Sequence, residues 1–322
     1  MNTIQERIRD RAARLNRTLV FPEGREKRIV VAAKKIKELG IADVILLGNI
    51  NSINEYDLPK NLEILYPENC DFFGKLKDRF LTINQEKNLD IDEPEVFMKN
   101  TLNFGALMVE QGYADGCVCG AVTSSSDVIK AAIKLIGMSE SSELVSSSFL
   151  MTSPNGDKSY TFADCGVVPN PTVEQLVTIA YDSTQTHEKL TEQKPKIGFL
   201  SYSTKGSANH VMVDKVRKAA TLFLDTYPEY KSDGELQFDA AIIPSVAEVK
   251  APDSPLKGEA NVLIFPDLDA GNLGYKIAQR FGRFKAWGPL LQGLNKPMMD
   301  LSRSCSVDDI VDIAAICAIL RT

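Results

Sequence analysis

The sequence predicts an α/β protein of two domains, each built on a mostly parallel sheet flanked by helices. Short apolar runs alternate with longer segments of helical spacing, which is the βαβ rhythm of parallel sheets. The length of 322 residues suggests two domains, at about 150 residues each. Apolar residues make up 44% of the chain and charged residues 25%, which provides enough apolar material for two hydrophobic cores.

The amino-terminal half alternates strand and helix. Apolar runs that end in turns predict strands at residues 18–24, 42–49, 61–67 and 114–122. Apolar residues at spacings of three and four predict helices at residues 25–39 and 97–112. The serine- and glutamate-rich stretch at residues 138–144 predicts the crossing between the two domains.

The carboxyl-terminal half resumes the alternation. A strand pair is predicted at residues 144–154 and 158–169, and a helix follows that Thr172 opens. Short apolar strands that lead into polar or glycine-rich loops are predicted at residues 196–203, 238–244 and 261–267. The last helices are predicted at residues 272–281 and 307–320.

Charge and composition exclude several classes of protein. The formal net charge is −6 and the sequence pI is near 5.2, so we expect no nucleic-acid partner. The amino terminus lacks the apolar core of a signal peptide and no apolar run is long enough to span a bilayer, so we expect no membrane partner and a cytoplasmic location. The cysteines and histidines lack zinc-type spacing, so no metal site is expected. Cys117 and Cys119 alternate with Val118 in an apolar run, which favours buried strand thiols.

Hydroxyl side chains follow the predicted strand at residues 114–122. The stretch "GAVTSSSDVIK" places Thr123, Ser124 and Ser125 before a helix that begins near Asp127. N–H groups at a helix start, together with hydroxyl groups, form an anion site. The alternative is an N-cap with spare serines. On its own the pattern favours that alternative, because the fixed glycines and the GK[ST] of a P-loop are missing.

Two loops of the second half carry weaker patterns. In "LSYSTKGSANH" (residues 200–210), Lys205 and the flanking hydroxyls fit a phosphate or a pantetheine-like chain as well as they fit a solvated turn. In "FPDLDAGNLGYK" (residues 265–276), acidic residues suggest magnesium. The favoured alternative there is that Asp269 or Asn272 caps the following helix.

The stretch "DLSRSCSVDDIV" (residues 300–311) precedes the last predicted helix. Ser306 and Asp309 have the spacing of a capping box, which would explain Asp309 without chemistry. A capping box does not explain Ser302 and Arg303, because an arginine before the helix can bind a phosphate or carboxylate through two N–H groups. Asp309 would then be a general base if it faces the same site.

Long stretches of the chain resemble the phosphate acetyltransferase (phosphotransacetylase) family. The most specific are residues 236–280 and "GPLLQGLNKPMMDLSRSCSVDDIV" at residues 288–311. Supporting stretches lie at residues 20–33, 104–122, 162–176 and 200–208. The similarity extends over nearly the whole chain.

The resemblance implies a fold and an activity. The family fold has two α/β domains with a cleft between them and is related to isocitrate dehydrogenase. Here it implies a first domain of residues 1–143 and 300–322 and a second of residues 144–299, which forms half of the cleft and the homodimer contact. The implied reaction is reversible acetyl transfer between acetyl phosphate and coenzyme A, which gives acetyl-CoA and orthophosphate. The resemblance implies no metal or prosthetic group in the chemistry, and it makes coenzyme A a substrate rather than a cofactor.

The family's functional residues can be carried over position by position. Its catalytic serine, arginine and aspartate fall on Ser302, Arg303 and Asp309. Asp309 would take the proton of the coenzyme A thiol, while Arg303 and Ser302 would orient the departing phosphate. Residues implied to bind substrate are Thr123, Ser124, Ser125, Lys130, Ser203 and Lys205.

Two of the positions that depart from the family pattern concern anion binding. Lys130 and Asn84 stand where the family usually has arginines associated with anion binding. Lysine keeps the charge but loses the planar fork, and asparagine keeps neither. Two alternatives stay open. One is a phosphate butyryltransferase-like enzyme, which differs in pocket size, and the other is a non-catalytic homologue that senses acyl-CoA, which the missing arginines would suit.

Overall fold

The computed structural model describes residues 3–48, 58–59 and 62–321. The chain folds into two compact units. The central unit comprises residues 141–293 with Thr3, and the terminal unit comprises residues 4–140 and 294–321. The sequence-based division at residue 299 differs from this one, because Met298–Asp300 is a strand that pairs in parallel with Gly116–Cys119 of the terminal unit.

A parallel sheet forms the middle of the terminal unit. Its strands are β1 (Thr18–Phe21), β2 (Asp43–Leu47), β3 (Glu63–Leu65), β4 (Gly116–Cys119) and β11 (Met298–Asp300), numbered in chain order. They stand in the order β11-β4-β1-β2-β3, and every pair is parallel. β4 is buried along its whole length, as expected for a parallel strand covered on both faces. Cys117 and Cys119 are accordingly buried strand thiols.

Two layers of helices cover this sheet. One layer contains α1 (Ile4–Ala13), α2 (Lys27–Glu38) and α12 (Val307–Leu320). The other contains α3 (Phe73–Glu86), α4 (Pro94–Lys99), α5 (Thr101–Glu110) and α6 (Ser125–Ala131). The single helix predicted at residues 97–112 is two helices, because Asn100 is extended and its side chain caps α5 by accepting from the N–H of Leu102 at 2.9 Å.

The strand order creates a switch point beside β1. From β1 the chain runs through α2 to β2 on one side, whereas β4 pairs with β1 on the other side. The connections that follow β1 and β4 therefore lead to opposite sides of the sheet. Open α/β sheets bind ligands at such switch points, outside the carboxyl ends of the strands.

The central unit contains a mixed sheet. Its strands are β5 (Ser146–Thr152), β6 (Ser159–Ala163), β7 (Lys196–Leu200), β8 (Lys231–Leu236), β9 (Val262–Ile264) and β10 (Lys285–Gln292). Their order is β10-β5-β6-β9-β7-β8. β5 is antiparallel to both of its neighbours, as the predicted strand pair requires, and the other pairs are parallel.

The helices of the central unit are α7 (Val173–Thr191), α8 (Val211–Thr226), α9 (Phe238–Ile242), α10 (Pro244–Lys250) and α11 (Leu268–Arg280). The strand predicted at residues 238–244 is wrong, since Phe238–Ile242 is α9. The sheet position beside β7 belongs to the more polar β8, with Lys196 opposite Lys231 and Leu200 opposite Leu236. Periodicity alone does not separate a short buried helix from a short buried strand.

No helix of the described residues has both the length and the apolar character needed to cross a membrane.

Candidate active site

Three strands of the terminal sheet end at the switch point. β1 leads to Glu23, and β4 leads to residues 120–125, called here the hydroxyl turn. β11 leads to residues 301–306, called here the Ser-Arg loop. Because β4 lies between β1 and β11, the two predicted anion-binding segments emerge at the same edge of the sheet.

The carboxylate of Glu23 binds the backbone of the hydroxyl turn. It accepts hydrogen bonds from the N–H groups of Ala121, Val122 and Thr123 at 2.8, 3.0 and 2.8 Å. The Glu23 side chain is buried, at 8% exposure. The sequence predicts that N–H groups at the start of the following helix, together with the hydroxyls, bind an external anion. An internal carboxylate engages the N–H groups of residues 121–123, so these three are not available to a phosphate at this turn.

The hydroxyls of the turn have different environments. Ser124 is the N-cap of α6: its Oγ accepts from the N–H of Asp127 at 3.2 Å and donates to Asp127 Oδ2 at 2.7 Å. Thr123 is half-buried, while Ser125 and Lys130 are exposed. The N-cap alternative is therefore confirmed for Ser124. The substrate-binding roles of Thr123, Ser125 and Lys130 stay predictions.

Asp300 lies at the end of β11, next to the hydroxyl turn. Its side chain is 2% exposed, and burial raises the pKa of its carboxyl to about 6. A hydrogen bond from Ser125 and the charge of Arg303 lower this pKa in part, whereas the charge of Glu23 raises it. Gly120 permits the close approach, because a Cβ there would stand 2.3 Å from Asp300 Oδ1. The hydroxyl turn and the Ser-Arg loop are thus coupled through Asp300.

The Ser-Arg loop exposes the two residues that the sequence singled out. Ser302 and Arg303 are both exposed. The Ser302 hydroxyl lies 3.1 Å from Ser304 Oγ, and the Ser302 carbonyl accepts from the N–H of Cys305 at 2.9 Å. Arg303 therefore projects from a hydrogen-bonded turn, with its charge acting on the buried Asp300.

Asp309 belongs to a capping box at the start of α12. Ser306 Oγ accepts from the Asp309 N–H at 3.2 Å, and Asp309 Oδ2 accepts from the Ser306 N–H at 2.9 Å and from its hydroxyl at 2.8 Å. The capping box is thus confirmed. Asp309 is exposed. Among the described residues its accepted bonds end on Oδ2, which leaves Oδ1 accessible, and its role as a base stays a prediction.

Arg28 joins the two segments, although the sequence did not single it out. Its Nη1 donates to the carbonyls of Arg303 and Cys305 at 2.8 and 3.0 Å, and its Nη2 donates to the carbonyl of Ala121 at 3.1 Å. Its Nε donates to Glu26 at 2.7 Å, and that bond is the largest cause of the raised pKa of Arg28. One guanidinium therefore ties the Ser-Arg loop to the hydroxyl turn.

In the central unit, Ser203 and Lys205 have internal partners. Ser203 is fully buried and its hydroxyl donates to Glu235 at 3.1 Å, while Lys205 forms an ion pair with Asp233. Burial alone would raise the pKa of Glu235, but bonds from Arg217, the loop backbone and Ser203 lower it to about 2. Any contact of Ser203 or Lys205 with substrate would compete with these bonds, so their binding roles stay predictions.

Two further polar side chains that the sequence analysis considered, Asn84 and an acidic residue before α11, bind backbone groups of the protein itself. Asn84 donates to the Ile91 carbonyl at 3.1 Å and accepts from the Ile91 N–H at 3.3 Å, so it shapes the segment after α3. Asp267, rather than Asp269 or Asn272, caps α11 by accepting from Ala270 N–H at 2.9 Å. Across the residues that the structure describes, no group of three or more His, Cys, Asp or Glu side chains is arranged to hold a metal ion.

A two-unit α/β fold with an exposed arginine next to a sheet switch point is a setting in which α/β enzymes bind their ligands. The chain belongs to the phosphate acetyl/butaryl transferase family, whose model matches residues 3–318. The resemblance found in the sequence is thereby confirmed, as is the α/β fold class.

Individual relatives cover almost the entire chain. A phosphate acetyltransferase of Thermoanaerobacterium thermosaccharolyticum is 42% identical over 99% of this chain and 99% of its own. A phosphotransacetylase structure from Streptococcus pyogenes has a TM-score of 0.92 at 39% identity, covering 98% of this chain and 97% of that one. The EutD phosphotransacetylase from Staphylococcus aureus has a TM-score of 0.92 at 36% identity, covering 100% of both chains.

Sequence reasoning missed Glu23 and Arg28. Both lie in "VFPEGREKRIVVAA" at residues 20–33, a stretch that supports the resemblance, but neither sits in a recognisable site pattern. The available signal was their position directly after the first strand, since residues there lie at the ligand-binding edge of a parallel sheet.

Proposed function

We propose that the protein is a phosphate acetyltransferase. It transfers an acetyl group reversibly between acetyl phosphate and coenzyme A, with acetyl-CoA and orthophosphate as products. The observation that carries the proposal is that Arg303 and the hydroxyl turn meet at the switch point of the terminal sheet, in a chain of this family. An exposed guanidinium binds a phosphoryl group through parallel N–H donors.

The chemistry follows from this placement. A thiol with a pKa near ~8.5 is mostly protonated at neutral pH, so a base must take its proton before sulfur attacks. Asp309 accepts that proton. The sulfur forms a C–S bond to the acetyl carbonyl carbon, and the C–O bond to phosphate then breaks, so that the bonding electrons leave on orthophosphate. Arg303 and Ser302 hold the phosphate and offset its growing charge.

Substrate positioning uses the remaining residues. Thr123 contributes a hydroxyl donor to the phosphate, and exposed Lys130 contributes a charge. The Ser125 hydroxyl would exchange its bond to Asp300 for one to the phosphate. Ser203 and Lys205 order the loop of the central unit that lines the coenzyme A chain. The proposed reaction needs no resident metal or prosthetic group, because the thiol supplies the nucleophile and acetyl phosphate supplies the activated acyl group.

The test is thioester formation by the purified chain after dialysis against a chelator. We expect acetyl-CoA from coenzyme A and acetyl phosphate, with one orthophosphate released per thioester. Failure to form thioester above a heat-inactivated control would reject the proposal and favour an acyl-CoA sensor, which would bind acetyl-CoA without turnover.

Acyl preference is the main alternative within the family, whose description covers acetyl and butyryl substrates. The relatives that are about 40% identical are phosphate acetyltransferases. We therefore propose acetyl as the preferred group. Comparing kcat/KM for acetyl phosphate and butyryl phosphate decides the question, and a higher value for butyryl phosphate would contradict the proposal.

We propose that the protein forms a homodimer through the central unit. Leu273, Ile277 and Phe281 form an apolar stripe on and just beyond α11, with exposures of 61%, 56% and 87%. Ile277 and Phe281 also line an apolar groove of about 720 Å³, together with Phe162 and Phe238. Since one helix supplies both the stripe and a wall of the groove, a second copy related by a two-fold axis fits this surface.

Sedimentation velocity tests the dimer. Wild-type protein should sediment as a dimer, and Phe281→Glu combined with Ile277→Glu should sediment as a monomer with an intact circular dichroism spectrum. The control is Val96→Glu on α4, which is 60% exposed and should not change the mass. A monomeric wild-type protein would contradict the proposal.

We also propose a cytoplasmic location. The six cysteines are all free thiols, which suits a reducing compartment. Cell fractionation with a tagged full-length chain tests this, and recovery with the membrane or secreted fraction would contradict it.

A further inference from the structure

We propose that Glu23 and Arg28 are positioning residues that fix the hydroxyl turn and the Ser-Arg loop relative to each other. The inference rests on the proposed function, because it concerns how that site is held. Neither side chain is assigned to touch substrate. Each acts through the backbone of residues that do.

Glu23 acts as an internal anion. Three successive N–H groups converge on its carboxylate at 2.8 to 3.0 Å, and Ala121, Val122 and Thr123 thereby share one anchor. Such charge-assisted bonds are about twice as strong as neutral ones. Since the acceptor is nearly buried, the bonds are shielded from water. The carboxylate therefore sets the backbone path of the turn.

Arg28 uses its donors on carbonyl groups of both segments. Nη1 bridges the carbonyls of Arg303 and Cys305, Nη2 reaches the carbonyl of Ala121, and Nε is held by Glu26. These bonds need a rigid, planar fork. A lysine ammonium is a point charge and cannot span the two segments in the same geometry.

The side chains of Glu23 and Arg28 both bind the backbone of Ala121. The N–H of Ala121 donates to Glu23, and the carbonyl of Ala121 accepts from Arg28. The peptide groups on both sides of Ala121 are thus fixed. The same Arg28 guanidinium also binds the carbonyl of Arg303, so the backbone of Arg303 is held at a set distance from Ala121. A displacement of about 1 Å at a reacting group can cost on the order of 100-fold in rate. The pair therefore determines where the Arg303 guanidinium stands relative to the hydroxyl turn.

If Glu23 and Arg28 only stabilised the fold, their replacement would lower the melting temperature without a specific effect on kcat. The terminal unit contains an arginine–carboxylate pair that serves as a matched control. Arg9 also pairs with a buried carboxylate: its Nε donates to Asp312 at 2.7 Å, and Asp312 is 4% exposed. That pair connects α1 to α12 rather than the two segments of the site. Arg9→Lys should lower the melting temperature without changing kcat beyond about two-fold.

The experiment compares Arg28→Lys and Glu23→Gln with Arg9→Lys in the full-length protein. We expect kcat to fall by about 10- to 100-fold in the first two variants, the range for loss of a charged hydrogen bond. The melting temperature of Arg28→Lys should fall no further than that of Arg9→Lys. Glu23→Gln sets an amide NH2 against backbone N–H donors and should melt lower, so its kcat is compared well below its melting temperature. Equal kcat values in Arg28→Lys and Arg9→Lys would overturn the inference.

A double-mutant cycle separates positioning from direct action. If Arg28 acts through Arg303, then adding Arg28→Lys to Arg303→Ala should cost less than two-fold in kcat/KM beyond the loss in Arg303→Ala alone. Multiplicative losses would refute the inference and leave the proposed function intact.

Binding of inorganic phosphate, measured by calorimetry, keeps the inference testable if acetyl transfer itself is absent. We expect Arg28→Lys to weaken phosphate binding at least 10-fold and Arg9→Lys to leave it unchanged. Unaltered binding in Arg28→Lys would then reject the positioning role independently of the proposed function.

Discussion

At Arg303 the guanidinium is exposed and acts on the buried carboxylate of Asp300, which in turn binds Ser125. Arg303 therefore offers a ligand two separable properties: its positive charge near the hydroxyl turn, and the planar fork of N–H donors of its guanidinium. The backbone of the residue serves the fold by accepting from Arg28, whereas its side chain is available to a ligand.

Arg303→Ala should lower kcat by about 10²- to 10³-fold, the range for loss of one donor to a developing anion. The melting temperature should change little, because the side chain is exposed. The acetyl-CoA assay and a thermal melt measure the two effects. Arg303→Lys keeps the charge without the fork and should fall between wild type and Arg303→Ala. Near-wild-type kcat in the alanine variant would reject the role.

Asp309 caps α12 and is also the proposed general base, and one substitution separates these two roles. Asp309→Asn keeps an oxygen for the Ser306 N–H, so α12 should persist, while kcat should fall by at least 10-fold because the base is gone. Ser306→Ala is the complementary variant: it should cost about 1 kcal/mol of stability and retain most activity. An Asp309→Asn protein that simply unfolds would show that capping is the main role of this residue.

Among the secondary-structure elements, α11 depends on a close approach to the strand end after β6. Gly271 lies in α11, and a Cβ there would stand 2.2 Å from the carbonyl oxygen of Asp164 and 3.1 Å from Cys165 Sγ. The backbone carbonyl cannot move aside as a flexible side chain could. This contact sets how closely the helix packs on the central sheet.

Gly271→Ala should destabilise the protein by about 1–3 kcal/mol, the usual cost of overpacking, despite the better helix propensity of alanine. Gly74→Ala in α3 is the control, because its Cβ would meet nothing within 4 Å, and it should be neutral or slightly stabilising. Urea denaturation of both variants measures the difference. Equal stability of the two would show that α11 can shift without cost.

For the molecule as a whole, buried ionisable groups contribute to the way stability varies with pH. Asp182 on α7 is 8% exposed, and burial raises its pKa to about 6 although Ser142 donates to it at 2.8 Å. A raised pKa in the folded state means that stability is fully present below the unfolded pKa and is lost as pH rises through about 6. Glu235 acts oppositely: its pKa is lowered to about 2, so its contribution is lost in acid.

The contribution of Asp182 to the free energy of unfolding should therefore fall by about 3 kcal/mol between pH 4 and pH 7, at 1.36 kcal/mol per pKa unit. Buried His187, whose pKa is lowered to about 4, acts in the opposite direction over the same range, so the Asp182 contribution is measured as a difference from wild type. Asp182→Asn should remove that part of the decline. Ser142→Ala should shift the decline to higher pH, because it deletes the bond that lowers the pKa of Asp182. Urea denaturation between pH 4 and 7.5 measures the three profiles, and parallel profiles would contradict the assignment.

The sequence alone determined several features of this protein, because they depend on residues that are close in the chain. The spacing of Ser306 and Asp309 predicted their capping box, and the alternation of Cys117 and Cys119 predicted buried strand thiols. The αβ rhythm gave the fold class, and long matched stretches gave the family. Local spacing failed at residues 238–244, where a short apolar run fits a helix as well as a strand.

Only the tertiary structure decided how the candidate site is held together. Glu23 binds Ala121 across 98 residues, and Arg28 binds the backbone of Arg303 across 275 residues. These contacts exist because β4 is placed between β1 and β11, which brings three distant strand ends to one edge. Strand order is set by packing over the whole sheet, so no local pattern of residues encodes it.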